Sequence, residues 1–348
     1  MARTRRRQAV QAVVSLAVVG AVFVGVLPKV ADLSEVRRHI GAMTAVEAAS
    51  LVAVALWNLA TYLFVWVASL PGLRYGQAAV VTQSTTAVAN TVPAGSALAI
   101  GLTYSMFSSW GFRRSVITLA VLVSGIWNNF VKLGLPVLAL ALLALQGEAS
   151  GARIVAGIVG IATLVAAVVL FVLSLRKEAT ARRLGLFAQR MATPVARLIR
   201  RGPPGGWDQA LASFRSKTIR LLESRWHWLT GATVVSHLSL YLVLLVALRH
   251  VGVAQDEISW VEVLAAFAFV RLLSAVPITP GGLGVIELGL IAALVTAGGD
   301  RPQVVAAVLV YRALTYLLPI PVGVVTYLIW RRNTRWRRSP EPTEAVPA

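Results

Sequence analysis

The sequence predicts an all-α integral membrane protein. Hydrophobic residues make up 57% of the 348 positions, mean hydropathy is +0.74, and only 14% of residues are charged. Apolar segments recur along the whole chain, at about 9–27, 46–69, 77–110, 115–145, 152–175, 228–248, 258–297 and 304–330. Because a helix needs about 20 apolar residues to cross a bilayer, these segments leave no room for a soluble domain. We therefore predict about six full spans plus two interrupted re-entrant hairpins, with about eight to ten apolar segments in all.

The first segment follows the basic sequence MARTRRR and runs to about residue 27. It is longer than the apolar core of a signal peptide, and no small-residue cleavage site follows it. We therefore predict an uncleaved first span. Residues 1–340 are predicted to form a single polytopic membrane domain, and the composition of 341–348 is typical of a disordered tail.

The composition also excludes several kinds of site. The chain has no cysteine, and its four histidines show no metal-ligand spacing, so we predict no disulfide, no metal and no cofactor. The net charge of +19 is that of many nucleic-acid-binding proteins. In a chain this apolar we attribute the charge to membrane orientation and to contact with anionic lipid, and we expect no nucleic-acid partner.

Two apolar segments are interrupted near their middle by proline and glycine. The sequence NTVPAGSALAIGL at 90–102 aligns with PITPGGLGVIELG at 277–289, which places Pro93 on Pro280 and Gly95 on Gly282. The two hairpins are predicted to enter from opposite sides of the membrane. This arrangement indicates an inverted repeat, with one half at about 46–146 and the other at about 228–330.

The distribution of basic residues indicates how this topology is oriented in the membrane. With the N-terminus inside, 24 lysines and arginines fall in inside segments and six in outside segments. Both termini are therefore predicted to be cytoplasmic. The remaining three basic residues, Lys132, Arg271 and Arg312, fall within the predicted membrane.

The segment 176–227 has no apolar run of bilayer length. It is divided by GPPGG at 202–206, and apolar and basic residues alternate at helical spacing on both sides of that break. The pattern fits basic amphipathic helices on an anionic membrane surface. It fits equally well a cytoplasmic linker whose arginines only contribute to the charge bias.

The most informative segment is 265–296, where Arg271 and Glu287 flank the breaker sequence PITPGGLG. Charge inside a membrane is costly, so these groups are expected to pair or to face a wet cavity. A broken helix beside buried charge is typical of substrate sites in transporters. The alternative is a kinked structural helix that an ion pair stabilises.

These residues carry a family resemblance. The sequence RLLSAVPITPGGLGVIELGL, the earlier positions Asn90, Pro93 and Gly95, and YRALTYLLP at 311–319 resemble the lysylphosphatidylglycerol-synthase transmembrane-domain family, also called flippase-like. The resemblance covers about residues 10–332. It implies a protein of the inner membrane that moves or handles a lipid. The family's soluble aminoacyl-transferase domain is not expected in this chain, so synthesis of a lysyl-lipid is not expected either.

The leading hypothesis is a flippase-like transporter that moves the head group of an anionic phospholipid or polyprenyl-phosphate lipid. Basic residues would attract the phosphate, and N–H groups at the broken helices would add donors. Glu287 would pair with Arg271 or Arg312, and its titration would couple the transport cycle to protons. The candidate substrate-binding residues are Arg271, Glu287, Arg312, Lys132, Asn90, Pro93, Gly95, Pro280, Gly281, Gly282 and Gly284.

Two alternatives stay open. In the first alternative, the chain is a non-catalytic partner that recruits a separate lipid-modifying enzyme through 176–227. In the second, it is a transferase that acts on lipids. The second is less favoured because no cluster of acids or histidine–acid pair is found, and His237 is interpreted as a buried structural histidine. We therefore predict a protein that is not an enzyme. The sequence does not predict its oligomeric state.

Overall fold

A computed structural model describes residues 33–92, 95–147, 151–176, 207–273 and 279–338, together with the isolated positions 183, 186, 189 and 190. All regular secondary structure in this part of the chain is helical. The α-helices are α1 Leu33–Gly41, α2 Ala45–Ser69, α3 Tyr75–Thr91, α4 Gly95–Ser109, α5 Arg114–Leu145, α6 Gly151–Arg176, α7 Trp207–His250, α8 Trp260–Leu273, α9 Val285–Thr296, α10 Arg301–Arg312 and α11 Pro319–Arg332. The predicted span 9–27, Pro93 and the tail 341–348 lie outside the described residues.

Four helical segments are long and apolar enough to cross a membrane. They are Ala45–Ser69, Arg114–Leu145, Phe214–His250 and Arg301–Arg332. Large apolar side chains also cover the outside of the helices; Val155 and Ile158 on α6 are each 61% exposed, and Leu170 is 64% exposed. An apolar surface of this extent requires an apolar solvent. The chain is therefore a multi-pass membrane protein, while the total number of spans and the inverted repeat stay predictions.

The first interrupted segment is a pair of helices, α3 and α4, that pack against each other. The contact is closest at Gly95, where a Cβ atom would lie 2.5 Å from the carbonyl oxygen of Val88 and 2.6 Å from that of Ala89. Only a glycine permits this approach of one backbone to another. Gly95 therefore allows the helices on either side of this interruption to pack closely together.

The second interrupted segment has the same plan. Helix α8 ends at Leu273, a 3₁₀ turn covers Pro280–Gly282, and α9 begins at Val285. Gly281, Gly282 and Gly284 all have positive φ angles, of 57°, 70° and 81°. Side chains other than glycine rarely adopt this conformation, so the glycines of the PGGLG sequence are what allows the chain to turn here.

The two interrupted segments contact each other. Both α3 and α4 contact the 3₁₀ turn of the second segment, and α3 packs along α11. At Gly323 of α11 a Cβ atom would overlap the side chain of Ala87 and the backbone oxygen of Gln83. The close contact of α3 with α11 therefore joins the first interrupted segment to the last helix of the chain.

A π-helical turn, Ala313–Leu317, separates α10 from α11. Pro319 follows it and cannot donate a backbone hydrogen bond. The turn widens the helix by one residue, a feature that is frequent at functional sites. Two neighbouring side chains of this turn point to different places: Tyr316 lies against Arg312, and Thr315 lines a polar cavity.

Helix α7 differs from the boundaries expected from the sequence. The sequence predicts a basic linker that ends at 227 and a span that starts at 228, but one helix runs without a break over Trp207–His250. No proline lies in this stretch, and Gly231 alone does not end a helix. Basic residues and apolar span thus share a single helix.

Candidate functional site

Glu287 and Arg312 form a buried ion pair at the break between α8 and α9. The Arg312 Nε atom donates to Glu287 Oε1 at 2.7 Å, and the two side chains are only 9% and 1% exposed. The second carboxylate oxygen of Glu287 accepts the backbone N–H of Gly284, also at 2.7 Å. Both oxygens of the buried carboxylate are therefore occupied, as a buried charge requires.

Arg312 also holds the broken backbone. Its Nη2 atom donates to the carbonyl oxygen of Gly281 at 3.1 Å. Its guanidinium carbon lies 4.5 Å from the centre of the Tyr316 ring, an arrangement that favours a cation–π interaction. One arginine thus connects α10, the π turn, the 3₁₀ turn and α9.

Asn90, near the end of α3, connects this cluster to the first interrupted segment. The Tyr316 hydroxyl donates to the Asn90 carbonyl oxygen at 2.5 Å, and Asn90 Nδ2 donates to the Tyr316 carbonyl oxygen at 3.1 Å. A Cβ atom on Gly281 would overlap the Tyr316 ring. The segments aligned in the sequence as 90–102 and 277–289 therefore meet through Asn90, Tyr316 and Gly281.

A polar cavity of about 140 Å³ lies beside this cluster, which is room for several water molecules or one small polar group. Seven elements contribute to its walls, from α2 to α11. The lining residues are Asn58, Leu59, Tyr62, Thr82, Gln83, Thr86, Asn128, Ser236, His237, Leu240, Arg271, Thr315 and Pro319. Amides, hydroxyls and one guanidinium thus surround a space within an apolar helix bundle.

Arg271 supplies the charge of the cavity. It lies in the last turn of α8 and keeps partial exposure, in contrast to the buried Arg312. Lys132 lies one helical turn after Asn128 on α5, so it shares the face that α5 presents to the cavity. No carboxylate is found among the described lining residues, and the field in the cavity is therefore positive.

His237 Nε2 and Gln83 Oε1 are buried polar atoms at the cavity with no hydrogen-bond partner among the described residues. His237 is 3% exposed and Gln83 is 7% exposed. The other ends of these side chains are engaged, since His237 Nδ1 lies 3.0 Å from the Thr233 carbonyl oxygen and Gln83 Nε2 donates to the Leu59 carbonyl oxygen at 2.7 Å. Buried polar atoms are almost always satisfied in native proteins, so these two indicate a place that water or a ligand occupies.

The residues chosen from the sequence fall into two groups. The structure brings together Glu287, Arg312, Gly281, Gly284 and Asn90 at the break, and it places Arg271 in the polar cavity. The partner of Glu287, left open in the sequence analysis, is Arg312. The Gly284 N–H, expected as a donor for substrate, is taken by Glu287.

Gly282, Gly95 and Pro280 have backbone roles. Gly282 would meet the Ile286 side chain if it carried a Cβ atom, and Gly95 packs against α3. Pro280 begins the 3₁₀ turn. Sequence reasoning missed the amide and hydroxyl residues of the cavity, such as Asn58, Gln83 and Asn128. The sequence feature that could have identified them is an uncharged polar residue within an otherwise apolar span.

Known proteins give an independent indication. A protein-family model described as "Lysylphosphatidylglycerol synthase TM region" matches residues 11–323 of this chain. A UPF0104 membrane protein from Methanocaldococcus jannaschii is 37% identical over 62 residues, which is 18% of this chain and 26% of the relative. The chain therefore spans about a quarter of the length of that relative. The family match, by contrast, covers almost all the described residues.

Proposed function

This chain belongs to the lysylphosphatidylglycerol synthase TM-region family, and from that membership and the geometry of the site we propose that it moves an anionic lipid head group across the membrane. The cargo is a phospholipid or a polyprenyl-phosphate lipid. The protein lies in the inner membrane with both termini in the cytoplasm, and its partners are membrane lipids and a separate lipid-modifying enzyme.

The observation that carries this proposal is the polar cavity that contains Arg271. Enclosing a guanidinium, three amides and several hydroxyls within an apolar bundle is costly unless polar groups compensate one another or a ligand does so. A phosphate has the charge for Arg271 and the acceptor oxygens for amide and hydroxyl donors. The chemistry of the walls thus fits an anionic head group.

The ion pair supports a division of roles between the two arginines. Arg312 is engaged by Glu287, Gly281 and the Tyr316 ring, so it maintains the broken backbone. Arg271 faces the cavity and is the residue that binds the phosphate, with Lys132 adding positive potential from α5. The broken backbone then supports the helices beside the cavity, because none of its residues is among the described lining residues.

The test is a lipid-movement assay on purified protein in liposomes. A head-group-accessible fluorescent phosphatidylglycerol reports the fraction of lipid that reaches the opposite leaflet. We expect the wild type to move it and Arg271→Gln to reduce the rate by about tenfold or more, because the phosphate loses a charged, hydrogen-bonding partner. The matched control is Arg301→Gln, which removes an exposed arginine at the first residue of α10.

Two results would count against the proposal. A wild-type protein that moves no more lipid than empty liposomes would remove the transport function, and the role as a partner of lipid-modifying enzymes would replace it. Equal rates for Arg271→Gln and wild type would remove the cavity as the head-group site. Folding of each variant is checked by its elution from gel filtration.

A further inference from the structure

We propose that His237 takes up a proton when an anionic head group enters the cavity, so that lipid binding and protonation are coupled at one site. This inference rests on the proposed function, since it names what accompanies the anion. It rests on three observations: the position of His237 in the cavity wall, its unpartnered Nε2 atom, and the cations around it.

The hydrogen bond to α7 fixes the tautomer of His237. The Thr233 carbonyl oxygen can only accept, so Nδ1, at 3.0 Å, carries the hydrogen. In the neutral ring Nε2 then has a lone pair and no hydrogen. This buried nitrogen is an acceptor that no described donor satisfies. After protonation the same atom becomes a donor, which is what a phosphate oxygen requires.

The charges around the ring explain why binding and protonation depend on each other. The cavity presents Arg271 from α8, and Lys132 lies near it on α5; the Tyr62 hydroxyl from α2 is the remaining titratable group in the wall. The lining residues from α3, the π turn and α11 are uncharged. The two cations repel a positive charge on the ring, and a bound anion offsets that repulsion. The anion therefore favours the protonated ring, and the protonated ring favours the anion.

Glu287 is engaged on both carboxylate oxygens, which accept hydrogen bonds from Arg312 and Gly284. In the described part of the chain, no comparable bond holds His237 Nε2. Histidine is also the side chain whose unperturbed titration lies near physiological pH. The proposed coupling therefore places the proton on a histidine in the cavity, whereas the sequence drew attention to Glu287.

The experiment counts protons. Calorimetric titration of the purified protein in buffers of different ionisation enthalpy gives the number of protons taken up per ligand bound. The probe is dihexanoyl phosphatidylglycerol, a phosphodiester whose own charge does not change near neutral pH. A second arm uses dimethyl phosphate, which carries the same phosphodiester without a lipid chain.

For the wild type we expect uptake of up to about one proton per ligand, and an affinity that rises by up to about tenfold for each unit of decrease between pH 8 and pH 6. The sign follows because the bound state holds more protons than the free state. For His237→Gln we expect no uptake and an affinity independent of pH. The control His227→Gln, at an exposed position of α7, should behave as the wild type does.

Each outcome separates this inference from the proposed function. Binding without proton uptake in the wild type, or unchanged uptake in His237→Gln, would overturn the coupling and leave the head-group site intact. No binding of either probe would overturn both. Uptake with both probes assigns the coupling to the phosphodiester alone, and uptake with the lipid only assigns it to a membrane lipid; both results support the coupling. If His237→Gln does not fold, His237→Asn replaces it, because its amide can still donate to Thr233.

Discussion

Asn90 and Tyr316 are 226 positions apart in the chain, yet each donates a hydrogen bond to the backbone carbonyl oxygen of the other, at 3.1 Å and 2.5 Å. This reciprocal pair joins the first interrupted segment to the π turn, and the Tyr316 ring and Asn90 both lie against Gly281 of the second segment. Neither residue bears a charge near neutral pH, so the connection is not an ion pair that salt would screen. It fixes the end of α3 against the π turn that leads to the polar cavity.

The first prediction concerns this pair. Asn90→Ala and Tyr316→Phe should each lower the free energy of unfolding, and the double variant should lose less than the sum, with a coupling of about 0.5–3 kcal/mol. The measurement is a double-mutant cycle of equilibrium unfolding in mixed micelles. Tyr104 provides the control because its hydroxyl donates to Thr118 at 2.7 Å and lies apart from Asn90. A cycle of Asn90→Ala with Tyr104→Phe should be additive, and additivity in both cycles would contradict the prediction.

A second prediction concerns the ion pair of Glu287 with Arg312. Glu287→Gln should lower the free energy of unfolding by about 3–5 kcal/mol, because it leaves a buried guanidinium without a counter-charge. Adding Arg312→Met should recover a large part of that loss, since no charge then stays buried. The control is Glu35→Gln, which breaks the exposed pair with Arg38 at 3.3 Å and should change stability by about 0–1 kcal/mol. A double variant less stable than Glu287→Gln would show that the pair contributes more than charge compensation.

The third prediction tests the backbone of the break. Gly281→Ala places a Cβ atom against the Tyr316 ring at a residue whose φ angle is +57°. Strain of this kind costs about 1–3 kcal/mol, and displacement of the ring should also disturb Asn90. Gly125→Ala, at a helical position of α5 with nothing within 4 Å of the new atom, should leave stability unchanged or raise it by up to about 1 kcal/mol. Similar unfolding curves for the two variants would rule out strain at Gly281.

The fourth prediction separates charge from shape at Arg271. Arg271→Lys should retain a measurable part of the lipid movement that Arg271→Gln loses, because lysine keeps the positive charge but lacks the planar pair of donors for a phosphate. Initial rates in the liposome assay give the comparison. Complete loss in both variants would assign the effect to geometry, and full activity in Arg271→Gln would remove the residue from the site.

The sequence predicted most of what depends on local chemistry. The span expected at 46–69 is observed as Ala45–Ser69, and the span at 115–145 as Arg114–Leu145. The breaks at PAG and PGGLG were also predictable, because proline and glycine interrupt a helix wherever the chain places them. These features need no knowledge of which helices are neighbours.

The features that sequence reasoning missed depend on how the helices are rotated about their axes. The choice of Arg312 as the partner of Glu287 is decided by which face of α10 points to α9. The cavity takes its polar lining from seven elements, most of which contribute only one to three residues that look unremarkable alone. His237 was expected to be buried, but its unpartnered nitrogen becomes evident only when α2, α3 and α8 surround it.

In the π turn at Ala313–Leu317, the number of residues matters as much as their identity. A helix rotates by about 100° per residue, so removal of one residue from the turn would restore α-helical register and rotate α11 against α10 by roughly that angle. Pro319 would then leave the cavity wall, and Gly323 would no longer face Ala87. Substitutions at outward positions such as Leu317, which is 56% exposed, should be tolerated, whereas a deletion of any single residue in the turn should not.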